Sequence, residues 1–311
     1  MFGHVRTVVR GGLLPLLALV LLFTQAPPAL GASDSGQKTI VVTYSILGAI
    51  VRDLVGDKAI VIVSMPNGQD PHEWEPSAKD IETINKANLV VQNGLGLEGG
   101  MEKTLQQAEK AGVKFFTASD HIKVRRVGPG EGIPTGDPDQ AVGAKDPHLW
   151  MDPTAMKTVE LALAKRLKAD LGIDVSDRAR DLATRLDSLD QESARAVEQI
   201  PKPNRRLVTG HESMGYFAQR YGFRLVGAII PSLTSQAQVS AAELARLKKL
   251  IQKNQVKAIF TELGTAPAVA QAIGKETGVR VVELTTHSLP EDGSYFTFMH
   301  NLTHVISDAL K

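Results

Sequence analysis

The chain contains the tripeptide Asp-Pro-His twice, as DPHEW ending at Trp74 and as DPHLW ending at Trp150. In each copy a proline, whose φ angle is fixed, restricts the chain just before His72 or His148. Neutral imidazole binds borderline metal ions well, zinc above all. The chain has eight histidines and no cysteine, so a metal site would use imidazole and carboxylate rather than thiolate. The repeated tripeptide therefore makes a metal site the first hypothesis.

Two further histidines also follow predicted strands. His211 comes directly after RRLVTG, and His287 comes directly after VRVVELTT. In open α/β sheets, ligand-binding groups collect in the loops at the carboxyl ends of strands. A single loop histidine is most often solvated or hydrogen-bonded, but four in equivalent positions favour a shared metal site. The predicted ligands, two from each half of the chain, are His72, His148, His211 and His287.

The elements that must position these side chains alternate along the chain. TIVVTY (39–44) is followed by a helical pattern and then by the strand-like AIVIV (59–63). The same alternation returns after residue 200, with VKAIFTE and VRVVELT among its strands. Alternation of this kind is typical of parallel sheets flanked by helices. We therefore predict an α/β fold with two lobes, each built on a parallel sheet.

A long helical pattern over residues 176–200 separates the two units. Its apolar residues fall on one stripe, Ser176 is a candidate N-cap, and PKP follows it. At 1.5 Å per residue the helix would be about 37 Å long and would join the lobes rigidly. The predicted division is a metal-binding lobe over 32–175, the connecting helix over 176–200 and a second metal-binding lobe over 201–311.

Residues 1–31 have the pattern of a secretory signal peptide. Arg6 and Arg10 precede the apolar GLLPLLALVLLF, and small residues end at Gly31. A membrane anchor is the alternative, but the apolar run is short for a bilayer span. No cysteine follows the run, so we expect a protein in the periplasm or extracytoplasmic space without a lipid anchor.

Composition narrows the possible partners. The formal net charge is +1, which gives no support for binding nucleic acid or a charged membrane surface. Without cysteine there is no disulfide framework, so stability must come from an apolar core. We expect a monomer that does not insert into a membrane.

Several segments resemble the metal-binding solute-binding proteins of bacterial ABC importers for zinc and manganese, the TroA-like proteins of cluster A-I. NGQDPHEWEPSAKDI, DPHLWMDP and GHESMGYFAQRYG are similar to the three segments that carry the family's first ligands, and SYFTFMHNL is similar to its last helix. The resemblance implies a metal in a cleft between two α/β lobes, and delivery to a membrane permease driven by a cytoplasmic ATPase. It places His72, His148 and His211 at ligand positions.

The fourth ligand position departs from the family pattern, in which an aspartate is usual. Here TTHSLPEDG puts His287 at that place, and we favour it as the fourth ligand. Asp292 or Glu291 could supply an oxygen instead, and a site of three histidines and one water is a further alternative. Glu262, in FTELG, is interpreted either as a surface carboxylate or as a support for the imidazoles.

The ligand types favour zinc over manganese, because manganese-binding members of the family usually have a carboxylate where this chain has His211. A manganese- or iron-binding member of the family is the alternative. A zinc-dependent hydrolase is a second and weaker alternative. Glu73 and Glu212 each follow a predicted ligand, but the metalloprotease motif needs a second histidine where Pro76 and Gly215 stand. We therefore predict a protein that captures and delivers zinc and is not an enzyme.

Overall fold

The computed structural model describes residues 36–131 and 141–311. Four parallel strands form the first sheet, in the order β2-β1-β3-β4. They are β1 (Thr39–Val42), β2 (Ile60–Val63), β3 (Leu89–Gln92) and β4 (Phe115–Thr117). The central strands β1 and β3 are apolar on both faces because helices cover both sides of the sheet. This arrangement directs the carboxyl ends of all four strands to one edge.

Four helices belong to this first lobe: α1 (Ser45–Val55), α2 (Ala78–Asn85), α3 (Glu102–Lys110) and α4 (Pro153–Leu171). α2 begins with a capping box, in which the side chains of Ser77 and Asp80 each accept from the other's backbone N–H. α4 begins after Asp152, whose side chain accepts from the N–H of Thr154, and has a proline in its first turn. These caps fix the helix starts that follow the two Asp-Pro-His segments.

The connecting helix α5 spans Ser176–Glu198. Its buried stripe, which includes Leu182, Leu186 and Leu189, packs against α4 and the C-terminal helix. Two details differ from the sequence prediction. Ser176 is the first residue of the helix rather than its N-cap, which is Val175, and the helix ends two residues before Ile200.

The second lobe contains two parallel strand pairs. The strands are β5 (Arg206–Thr209), β6 (Arg224–Ala228), β7 (Ala258–Thr261) and β8 (Arg280–Glu283). Its helices are α6 (Gly215–Tyr221), α7 (Ala241–Lys253), α8 (Pro267–Thr277) and α9 (Tyr295–Leu310). β5 lies beside β7, so the two pairs together occupy the place of the single sheet that the sequence predicts.

One apolar core joins these parts. Buried residues of α1, α4, α5 and α9 belong to a single cluster that also includes Trp150 and Phe217. The predicted fold class, an α/β protein of two lobes with parallel strands and a rigid connecting helix, is confirmed. Within 36–131 and 141–311, no helix is long and apolar enough to cross a bilayer. The predicted signal peptide lies outside the described residues.

Candidate metal centre

Each of the four predicted histidines lies in a loop beside a strand end or a helix start. His72 lies in the loop between β2 and α2, and His148 directly precedes a short 3-10 turn that leads into α4. His211 is two residues beyond the end of β5, and His287 is four residues beyond the end of β8. The topology therefore brings two histidines from the first lobe and two from the second to the same cleft.

The four imidazoles meet in one buried cluster. His72 and His148 have their Nε2 atoms 3.4 Å apart, and the Nε2 atoms of His148 and His211 are 3.1 Å apart. His287 stacks on His211 with ring centroids 5.0 Å apart. One ring nitrogen from each of the four lies within 4.8 Å of the others, and no side chain of the cluster is more than 3% exposed. Ligands in a tetrahedron about 2.05 Å from an ion would be about 3.3 Å apart, close to the two Nε2 separations of 3.4 and 3.1 Å.

Asp146 fixes the orientation of His148. Its Oδ1 lies 2.9 Å from the backbone N of His148 and 2.9 Å from Nδ1 of the same residue. A carboxylate at this position favours the tautomer with a proton on Nδ1, which leaves the Nε2 lone pair directed into the cluster. Asp146 is itself fully buried and paired with Arg125 at 3.0 Å.

Glu262 fixes the orientation of His211 in the same way. Its Oε1 accepts a 2.7 Å bond from the backbone N–H of His211 and lies 3.0 Å from Nδ1, off the line of an ideal hydrogen bond. Gly210 permits this approach, since a Cβ at that position would lie 2.6 Å from Cγ of Glu262. The Nε2 lone pairs of His148 and His211 therefore face each other at 3.1 Å. Two lone pairs so close repel unless a cation lies between them.

Thr286 extends the influence of Glu262 to His287. The hydroxyl of Thr286 donates to Oε2 of Glu262, and its oxygen lies 2.8 Å from Nδ1 of His287. An N–H at Nδ1 can then donate to the hydroxyl, so that Nε2 keeps its lone pair. Among the described residues, this buried Nε2 has no hydrogen-bond partner. One carboxylate thus orients two of the four imidazoles.

The electrostatics of the cluster keep most of it in the metal-binding form. Burial lowers the pKa of His72, His148 and His287 below the usual value, because a buried imidazolium loses its hydration. Burial acts on His211 in the same direction, but the adjacent Glu262 raises the pKa of His211 above its usual value. Burial alone would raise the pKa of Glu262, yet its interactions with the histidines and with Thr286 lower it. Glu262 is therefore a carboxylate and balances charge beside the cluster.

The alternative ligands lie elsewhere. Glu291 and Asp292 are exposed, and Asp292 accepts a 3.0 Å bond from the N–H of Ser294 and a 2.6 Å bond from the hydroxyl of Thr297. The glutamates next to the histidines also differ from each other. Glu73 is exposed, whereas Glu212 is buried, and this burial raises the pKa of Glu212 to about 7.

From the sequence, the orientation of the two Asp-Pro-His histidines was attributed to the proline, and the role of the aspartate was not predicted. In both copies the aspartate Oδ1 accepts a 2.9 Å bond from the backbone N–H of the histidine two residues later, which closes a tight turn. Asp70 and Asp146 are thus the structural reason for the repeat. The sequence does contain a signal for this turn, because aspartate is a usual first residue of such a turn and stands two residues before each histidine.

Comparison with known proteins shows the family of the chain. Residues 40–309 match the model of the ZnuA family, described as the zinc-uptake complex component A, periplasmic. The chain belongs to this family. Its members are solute-binding proteins of metal ABC transporters and not enzymes, and the resemblance seen in the sequence is confirmed.

Named relatives include proteins for two different metals. The manganese ABC transporter substrate-binding lipoprotein PsaA of Streptococcus pneumoniae is 28% identical over 86% of this chain and 87% of its own length. The zinc-binding lipoprotein AdcA of the same species is 30% identical over 85% of this chain, which corresponds to 53% of AdcA. Membership of the family therefore leaves the metal to be decided by the site.

The fold also matches a solved structure. The periplasmic zinc-binding protein TroA of Treponema pallidum superposes with a TM-score of 0.74 over 88% of this chain and 99% of that chain, at 23% identity. This likeness shows a shared two-lobe fold.

Proposed function

We propose that the protein captures zinc at His72, His148, His211 and His287 and delivers it to an ABC permease. One observation carries the proposal: four buried imidazoles offer four nitrogen atoms within 4.8 Å of one another. Manganese favours oxygen ligands and higher coordination numbers, whereas zinc suits a tetrahedron of imidazoles. The identity of the donor atoms therefore supports zinc over manganese or iron.

A site in which protein side chains fill all four coordination positions also supports metal transport rather than catalysis. A catalytic zinc keeps one coordination position for water or substrate, and a sequestering zinc has all four filled by protein. Four histidines would fill a tetrahedron here, with Asp146 and Glu262 as acceptors for the opposite ring nitrogens. In this proposal Glu262 supports the imidazoles and is not itself a ligand.

Delivery requires partners and a location. We propose that the lobes over 32–175 and 201–311, joined by the helix over 176–200, dock together as a monomer on a membrane permease with a cytoplasmic ATPase. Family membership supports an extracytoplasmic location. The two Streptococcus relatives named above are lipoproteins, whereas this chain has no cysteine, so we propose release by signal cleavage without a lipid anchor. The mass of the protein isolated from cells would test both the cleavage and the anchor.

The deciding experiment is elemental analysis of protein purified without added metal, followed by competition between zinc and manganese. We expect about one zinc per chain and displacement of manganese by equimolar zinc. Retention of manganese or iron against zinc would overturn the assignment of the metal in favour of the other members of the family. Absence of any bound metal after dialysis against zinc would overturn the site itself.

A further inference from the structure

The face of the histidine cluster that lies between the lobes is closed by hydrogen bonds. The side-chain amide of Gln236, in the second lobe, donates a 2.9 Å bond to the backbone carbonyl of His72 in the first. Asn67 of the first lobe pairs with the backbone of Leu289 in both directions, at 2.9 and 2.8 Å. An ion that entered from this side would have to break these contacts.

A cavity of about 550 Å³ approaches the cluster from a different side. All the residues that line it lie between Thr261 and Ser288, so it belongs to the second lobe alone. It lies at the carboxyl ends of β7 and β8 beside α8, and both Glu262 and His287 form part of its wall. Gln271 and Glu283, which also line it, are exposed and place its mouth at the surface.

The lining of this cavity suits a divalent cation. The described residues around it contribute two glutamates and several hydroxyl groups, and they include no lysine or arginine. Glu283 is exposed, whereas Glu262 is buried at the inner end. A recess with one sign of charge concentrates ions of the opposite sign and speeds their association.

We propose that this cavity is the passage by which zinc enters and leaves the cluster, with His287 as the first imidazole that the ion meets. The proposal rests on the zinc-binding function proposed above. It explains why a cluster that is at most 3% exposed adjoins a polar recess. The ion can then exchange while the contacts between the lobes stay closed.

Narrowing the passage tests this directly. Gln271→Phe places a larger side chain on α8 at the cavity wall, away from the loop that carries His287. Because an obstacle on the route raises the barrier in both directions, we expect association and dissociation rates to fall together, by about tenfold, with the dissociation constant changed less than twofold. Trp150 gives the fluorescence signal in stopped flow, since its ring lies 5.3 Å from that of His148 and 5.6 Å from that of His287. Gln219→Phe on α6, which lines another cavity, is the matched control.

Removing the charge at the mouth gives a second test. Glu283→Gln should slow association by about threefold at low ionic strength, and the effect should shrink as salt is added. Glu198→Gln, an exposed glutamate at the end of α5, should leave the rate unchanged. This variant decides the question even if Gln271→Phe does not fold.

The results of these experiments distinguish failure of the proposed passage from failure of the proposed zinc-binding function. Zinc binding with unaltered rates in Gln271→Phe and Glu283→Gln would overturn the passage and indicate entry through an opening cleft. A weaker affinity caused by faster dissociation in Gln271→Phe would also overturn it, because the residue would then act on the bound state. If the unaltered protein binds no zinc, it is the proposed function that fails.

Discussion

The indole nitrogen of Trp150 donates a 2.9 Å hydrogen bond to the backbone carbonyl of Thr286. Trp150 follows His148 by two residues, and Thr286 directly precedes His287. The bond therefore ties a ligand loop of the first lobe to a ligand loop of the second. Tyr295 reinforces the tie, since its hydroxyl donates a 2.8 Å bond to the carbonyl of Trp150. Both lobes are thus held in the geometry that the cluster needs.

This tie predicts that Trp150→Phe weakens zinc binding without removing a ligand. Phenylalanine keeps an aromatic side chain, although a smaller one, and loses the donor, which leaves the buried carbonyl of Thr286 unsatisfied at a cost of about 1–3 kcal/mol. We expect affinity to fall by about tenfold, measured by competition with a chelator of known affinity. Trp74→Phe is the control, and an equal loss in that variant would show that the effect is not specific to the tie.

The contacts of Glu262 with the histidine cluster predict that its charge contributes strongly to zinc affinity. Glu262→Gln keeps the shape of the side chain but removes the charge that orients His211 and, through Thr286, His287. Loss of such an acceptor typically costs 10- to 100-fold in metal affinity, and we expect a loss of about that size by isothermal titration calorimetry. Glu212→Gln changes a buried glutamate next to the same histidine and should cost less than threefold. Similar losses in the two variants would contradict the specific role of Glu262.

The fourth ligand can be assigned by comparing two alanine variants. His287→Ala removes an imidazole of the buried cluster and should weaken zinc binding by about 100-fold or more. Asp292→Ala removes an exposed carboxylate whose hydrogen bonds, within the described ranges, go to its own turn and the start of α9, so we expect less than a twofold change in affinity. Equal losses, or a larger loss in Asp292→Ala, would show that the ligand assignment is wrong.

Much of this arrangement could be predicted because it depends on the order of elements along the chain. A histidine just beyond a buried parallel strand has little choice of location, and His211 and His287 lie where strand ends predict them. The hydrogen-bonding groups that orient the imidazoles were harder to predict. Thr286 matters because its hydroxyl lies between Glu262 and Nδ1 of His287, a relationship set by three-dimensional packing and not by spacing in the sequence.

The start of the connecting helix shows a similar limit. Serine is a good N-cap, so the sequence favours Ser176 in that role, but Val175 is the N-cap and Ser176 is the first residue of the helix. The hydroxyl of Ser176 donates instead to the carboxylate of Asp174, at 2.6 Å. Local propensity placed the boundary within two residues. The pairing of Ser176 with Asp174 is a contact between two side chains that helix propensity alone does not predict.

Glu160 on α4 predicts an unusual dependence of stability on pH. Its side chain is fully buried, and within the described part of the chain neither carboxylate oxygen has a hydrogen-bond partner. Burial raises the pKa of Glu160 to about 8, from 4.5 for an unhindered glutamate. The native state therefore holds a proton that the unfolded state has released, and its stability falls as pH rises from about 4.5 to about 8.

Glu160→Met should remove this dependence, since methionine has a similar volume and no charge. At pH 8 we expect the metal-free variant to be more stable than the unaltered protein by about 4 kcal/mol, measured by urea unfolding in the presence of a chelator. The difference should shrink towards pH 5, because Glu160 is protonated there in the native state and that pH is only about half a unit above the pKa of 4.5 that it has in the unfolded chain. Glu198→Met, at an exposed position of α5, should show no such trend. A constant difference between the unaltered protein and Glu160→Met from pH 5 to pH 8 would mean that the buried carboxyl does not titrate as its surroundings require.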